Sequence, residues 1–133
     1  MAKILIVEDN ALNIKLFCDL LAAHGHEPEA VTDSRNALDA ARNFSPDLVI
    51  TDIQLPHVSG LELIRLLKAD ERLAEVPIMA VTAYSAIGDE ERIRAAGAQA
   101  YVSKPISVVR FAQTVDELLA EREPAAAEAS PES

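Results

Sequence analysis

The chain has 133 residues, half of them hydrophobic, with few aromatics and no tryptophan, which suits one globular domain around one core. Its formal net charge of −10 argues against the phosphate backbone of DNA or RNA as a partner, because that contact needs clustered Lys and Arg. A single cysteine rules out an intramolecular disulfide, and no apolar run is long enough for a membrane span or a signal peptide, so a cytoplasmic protein with no membrane partner is expected.

Short β-branched runs alternate with helical patterns along the chain. Lys3-Ile4-Leu5-Ile6-Val7 reads as a strand over residues 3–7 and stops at Glu8-Asp9. Asn10 then stands where an N-cap falls, and Leu12, Leu16, Phe17, Leu20 and Leu21 share one face of a first helix. Cys18, among these residues, reads as a small core side chain, not a nucleophile. Gly25 stands at a left-handed helix end, and a polar strand over 27–31, with Glu27 and Glu29, suits a sheet edge. Asp33 is the next expected N-cap. A strand over 47–51 ends at Asp52, and Ser59 caps the helix beyond it. Strands over 76–81 and 99–103 follow, trailed by Thr82 and Lys104, with Gly97 at a helix end between them. Ser107 caps the last helix, whose Val108, Phe111, Ala112, Val115, Leu118 and Leu119 share a face. From Pro124 the composition turns to Ala, Glu, Pro and Ser, so a domain over 1–122 and a disordered tail over 123–133 are expected. His24, His26 and His57 fall in two separate loops with no third ligand at useful spacing, and solvated side chains are expected.

Strands alternating with helices imply right-handed crossovers and a parallel sheet covered on both faces. In such α/β sheets ligands sit at the carboxyl ends of the strands. Glu8, Asp9, Asp52, Thr82 and Lys104 all fall at or just past those ends. Three carboxylates crowded at one sheet edge repel one another, and a hard cation with oxygen ligands relieves that repulsion. Beside such a cation, Asp52 has the chemistry to attack an electrophilic phosphorus. Lys104 offers a flexible cation and Thr82 a hydroxyl for the phosphoryl oxygens.

On these residues the chain resembles a response-regulator receiver domain over residues 3 to 120. The resemblance implies an α/β, doubly wound, flavodoxin-like sheet of five parallel strands in order 2-1-3-4-5 with five helices. It implies Mg²⁺ held by Glu8, Asp9, Asp52 and the backbone carbonyl of Gln54. It makes Asp52 the phosphoacceptor, Thr82 and Lys104 the phosphoryl contacts, Tyr101 the aromatic switch residue, and Lys104-Pro105 a cis peptide. The segments Asp52-Ile53-Gln54-Leu55-Pro56 and Tyr101-Val102-Ser103-Lys104-Pro105-Ile106-Ser107, with Asp89-Glu90-Glu91-Arg92-Ile93-Arg94, are similar to stand-alone receivers of the DivK type, which serve cell-cycle and polarity control.

The resemblance implies a phosphorylated signalling protein and not a turnover enzyme. The phosphoryl donor would be a histidine kinase or a histidine phosphotransfer protein, docking around Asn13, Ile14 and Phe17 and the stretch from Ile106 to Val109. Ile14 and Phe17 are also candidates for the core. Output would pass by protein contact to a downstream effector, with a phosphate sink as the alternative. Haloacid-dehalogenase phosphatases share a nucleophilic Asp, a Thr or Ser, a Lys and Mg²⁺, but they need a second acid two residues after the nucleophile. Here that position is the uncharged Gln54. Gln54 and Tyr84, each two residues beyond a site residue, are expected to slow loss of the phosphoryl group by denying water a base and an approach. Tyr84 is equally a candidate for partner contact.

Overall fold

The computed structural model describes residues 2–82, 89–103 and 106–129. Its elements in chain order are β1 (Lys3–Val7), α1 (Ala11–Ala23), β2 (Glu27–Val31), a 3-10 turn (Ser34–Asn36), α2 (Ala37–Phe44), β3 (Leu48–Asp52), α3 (Gly60–Ala69), β4 (Ile78–Thr82), α4 (Asp89–Ala96), β5 (Ala100–Ser103) and α5 (Val108–Ala129). Among the described residues the strands form one parallel sheet in the order β2-β1-β3-β4-β5. This is the expected doubly wound arrangement.

Burial explains the order. Every residue of β3 and β4 is buried, as are Ile4 to Val7 of β1, so these three uninterrupted apolar strands occupy the middle. In β2 only Val31 is buried, and Pro28, which has no N–H to give a neighbour, sits on this outer strand. Alternate residues of the strands then face opposite layers. Leu5, Val7, Val49, Ile78 and Ala80 pack with α2, α3 and α4 through Ala37, Ala41, Leu63, Ile64, Leu67, Ile93 and Ala96. Ile4, Ile6, Leu48, Ile50, Met79 and Val81 pack with α1 and α5 through Phe17, Leu21, Phe111, Val115 and Leu118. In that second layer the rings of Phe17 and Phe111 stack with centroids 5.1 Å apart and 9° between planes. Phe17 is therefore core, not a docking contact, while Ile14 is half-buried.

Several local expectations are met in detail. The Asn10 side chain accepts from the N–H groups of Leu12 and Asn13, Ser59 accepts from Glu62, and Ser107 accepts from Arg110. Gly97 takes a φ of +127° after α4, and Gly25 a φ of +84° after α1.

Others are corrected. Leu12 is 79% exposed and Leu16 is exposed as well, although both belong to the apolar pattern of α1. That pattern is two neighbouring stripes: Phe17 and Leu21 point into the sheet, whereas Leu12 and Leu16 run alongside, one turn apart, on the outside. Val108, in the first turn of α5, is likewise exposed. Asp33 caps the 3-10 turn through Arg35, and α2 starts later, behind Asn36, which forms no side-chain cap. Helix α2 ends on Ser45 in the left-handed region (φ 53°), where no glycine marks the stop. His24 and His57 are exposed, but His26 is only half-exposed and its Nδ1 is buried without a hydrogen-bond partner among the described residues. Its backbone donates to Leu21 as β2 begins, which draws the ring under the end of α1. Cys18 is half-buried and its thiol pKa is raised by burial, which suits a packing role. Helix α5 runs to Ala129, past residue 122 where composition places the domain end.

Candidate functional site

The site is assembled by register. Val7 of β1 pairs with Thr51 of β3, so the next residues, Glu8 and Asp52, come level at the carboxyl edge of the sheet. The Glu8 N–H donates to the Val31 carbonyl (3.1 Å), which keeps the main chain on β2 one residue past the end of β1. The Glu8 side chain is buried, and its Oε2 accepts from the Asn10 N–H (3.1 Å). Asp9 is exposed above it.

Asp52 closes β3 and is 6% exposed. Its Oδ1 accepts from the Gln54 N–H (3.1 Å), its carbonyl accepts from the Thr51 hydroxyl (2.9 Å), and the following Ile53 N–H donates to Val81 (3.0 Å). The carboxylate thus stands on a backbone tied to β4 beyond the formal strand end. One carboxylate oxygen from each of Glu8, Asp9 and Asp52 lies within 4.8 Å of the others.

That spacing and donor set fit a hard divalent cation. Ligand oxygens on opposite sides of one such ion are about 4 to 5 Å apart, and three carboxylates are the ligands Mg²⁺ or Ca²⁺ prefers. Two of the three carboxylates are buried, so a bound cation would sit against the protein with its remaining face toward exposed Asp9 and solvent.

The neighbouring strand ends supply the rest of the rim. Thr82, buried, closes β4 one residue past Val81, the partner of Asp52. Tyr101 lies on β5 opposite Ala80 and packs half-buried against the layer formed with α2, α3 and α4. Tyr84, Lys104 and Pro105, expected in the same region, lie outside the described residues.

The loop from Ile53 to Ser59 forms the remaining wall. It is closed at its base by the Gly60 N–H donating to the Ile53 carbonyl (2.9 Å). Gly60 lies so close to Asp52 that a Cβ there would overlap the Asp52 carbonyl oxygen, which explains glycine as the first residue of α3. At the tip, the Ser34 hydroxyl donates to the Pro56 carbonyl (2.8 Å) and accepts from the Val58 N–H (3.1 Å). Sequence reasoning passed over Ser34: a Ser after an N-capping Asp reads as one more turn former, and nothing local points to a loop more than twenty residues away.

With the geometry in place, comparison with known proteins decides the family. Residues 4–116 match the family described as the response regulator receiver domain. The chain belongs to the response-regulator receiver family. This receiver is 54% identical over 116 residues to the polar-differentiation response regulator DivK of Brucella ovis, covering 87% of this chain and 94% of that protein. The DivK protein of Brucella anthropi is 53% identical over the same span. Among solved structures, the receiver domain of a signal transduction histidine kinase from Syntrophus aciditrophicus is similar, with a TM-score of 0.84, 31% identity and coverage of 91% of this chain and 92% of that one. The receiver domain of the sensor histidine kinase PA1611 from Pseudomonas aeruginosa, crystallised with a magnesium ion coordinated in its active-site cleft, has a TM-score of 0.82 at 29% identity, covering 90% of this chain and 98% of that one. This receiver is therefore a two-component signalling module closely related to DivK, and the phosphatase alternative is not favoured.

Proposed function

We propose that this receiver accepts a phosphoryl group on Asp52, with Mg²⁺ held by Glu8, Asp9, Asp52 and the Gln54 carbonyl, and reports the modification through protein contact. The observation that carries this reading is the convergence of Glu8, Asp9 and Asp52 oxygens within 4.8 Å at the carboxyl ends of two central, adjacent strands. When bound, the cation supplies positive charge for the incoming phosphoryl oxygens. An Asp52 carboxylate oxygen forms the new bond to phosphorus, and the donor leaves with the electron pair of the bond it gives up. Lys104 and Thr82 contact the phosphoryl oxygens, and Tyr101 follows Thr82 inward. The modification replaces one negative charge by nearly two and adds strong acceptors, enough to bias two conformations that lie a few kcal/mol apart.

The donor is a histidine kinase or histidine phosphotransfer protein, and the output is a downstream protein in polarity or cell-cycle control, as the likeness to polar-differentiation regulators supports. Exposed Leu12, Leu16, Val108 and Val109 offer this donor an apolar contact on the two helices that begin beside the site. Gln54, exposed and uncharged, and Tyr84 slow hydrolysis of the phosphoaspartate. The receiver unit spans residues 1–122, and the protein works in the cytoplasm. Incubation with acetyl phosphate and Mg²⁺ followed by intact mass tests the core of this reading. Wild type gains about 80 Da, one phosphoryl group, and Asp52→Ala gains nothing. Unmodified wild type would overturn it.

A further inference from the structure

We propose that Ser34 is a positioning residue for the cation site, acting through the loop that carries Gln54. This inference rests on the proposed metal-holding role of Glu8, Asp9, Asp52 and the Gln54 carbonyl.

Ser34 is 4% exposed, and its own turn makes no use of its hydroxyl: Asp33 caps that turn by accepting from the Arg35 N–H (2.9 Å). The hydroxyl instead spends both its donor and an acceptor lone pair on one distant segment, at Pro56 and Val58. Those two bonds bracket His57, which holds a φ of 72°. A non-glycine residue rarely takes that left-handed conformation unless its surroundings hold it there. On either side the loop is already anchored, at Gln54 by the Asp52 carboxylate and at Gly60 by the Ile53 carbonyl. The span from Leu55 to Ser59 has its turn stapled by Ser34 alone among the described side chains that bond to Pro56 or Val58.

The consequence reaches the ion. The Gln54 carbonyl precedes the stapled turn by two residues, so the direction it faces depends on where that turn lies. Three carboxylates are set by strand ends, but this fourth ligand is set by a loop, and a loop ligand is preorganised only as well as the loop is held. Without the Ser34 hydroxyl, the Pro56 carbonyl and Val58 N–H turn toward water and the Gln54 carbonyl loses its fixed aim.

The test uses Ser34→Ala, Ser34→Thr and, as a control for general destabilisation, Asp70→Asn. Asp70 pairs with Arg42 (2.7 Å) where α3 ends, at the opposite edge of the sheet. Mg²⁺ affinity is measured by calorimetric titration of each folded full-length variant, alongside the Mg²⁺ dependence of acetyl phosphate labelling. Ser34→Ala weakens Mg²⁺ binding about tenfold, the scale seen when groups that orient metal ligands are removed. At saturating Mg²⁺ its labelling rate returns near wild type, Ser34→Thr restores the affinity, and Asp70→Asn binds as wild type does. Wild-type Mg²⁺ affinity in Ser34→Ala, or equal weakening in Asp70→Asn, overturns the role of Ser34. Wild type that binds no Mg²⁺ at millimolar concentration overturns the site reading instead.

Discussion

Gly60 packs directly on the backbone of Asp52, leaving no space for a Cβ between the start of α3 and the end of β3. The obstruction is main chain, so rotating a side chain cannot relieve it. Gly60→Ala must push the first turn of α3 away or displace Asp52 itself. The expected result is a loss of about 1–3 kcal/mol in urea denaturation, typical of overpacking, together with slower labelling of Asp52 by acetyl phosphate. Wild-type stability and labelling would show that the loop absorbs the methyl group freely.

Two apolar positions on α1 are expected to behave oppositely. Phe17→Ala opens a cavity against Phe111 and removes a stacked ring, for a cost of about 3–5 kcal/mol. Leu12→Ala, at a side chain already in water, should change stability by less than about 0.5 kcal/mol. Yet Leu12→Ala should slow phosphotransfer from a protein donor while leaving labelling by acetyl phosphate unchanged. Equal effects on both donors would assign Leu12 to the site and not to docking.

Cation binding should register as stability. An ion that binds only the folded chain stabilises it by about 1.4 kcal/mol at ten times its dissociation constant. Thermal unfolding with and without Mg²⁺ should show that gain in wild type, and Asp9→Asn should diminish it. Asp9 is the exposed member of the trio, so its removal leaves packing intact. A Mg²⁺ shift that survives loss of both Asp9 and Asp52 carboxylates would place the ion elsewhere.

His26 makes stability depend on pH. Burial pushes its pKa below the ordinary 6.5, while Asp116 pulls it up and His24 and the amino terminus push it further down. The folded chain thus prefers the neutral ring more than the unfolded chain does. Stability is whole above pH 6.5 and falls as the pH drops below that value toward the lowered folded pKa. Urea midpoints at pH 7.5 and 5.5 should differ in wild type and converge in His26→Gln. Asp33, held at about 2 by its contacts with Arg35, and Asp70, lowered by Arg42, act in a separate, more acid window.

The phosphoaspartate itself should be long-lived. With Gln54 in place of an acid, no side chain two residues after Asp52 can take a proton from attacking water. Tyr84→Ala should shorten the lifetime of the labelled protein, followed by intact mass after removal of acetyl phosphate. An unchanged or longer lifetime would leave Tyr84 as a partner contact.

What could be read from the chain follows from how local each signal is. The central strands were legible because a strand buried on both faces must be apolar throughout, and Ile4 to Val7 and Leu48 to Ile50 are. Glu8, Asp9 and Asp52 were legible only as a group: one acid after a strand reads as a turn former, but three at neighbouring strand ends of a parallel sheet point to one place, where their oxygens do converge. The caps at Asn10, Ser59 and Ser107 are contacts within four residues and were legible too. Leu12 and Leu16 were misplaced because helical spacing cannot tell two adjacent stripes from one broad face. The half-burial of His26 depends on how α1 meets β2, and the role of Ser34 depends on a loop folded against it from more than twenty residues away. Neither is visible from neighbours in sequence.

The exposed leucines of α1 start one turn beyond the acidic trio, on a chain whose net charge is −10. A small anionic metabolite approaching that rim meets repulsion and gains nothing from grease. A protein partner, by contrast, gains from apolar contact there. Repulsion from the net charge and contact on the exposed leucines should therefore favour a protein donor over a small anionic one in rate, while both reach the same carboxylate.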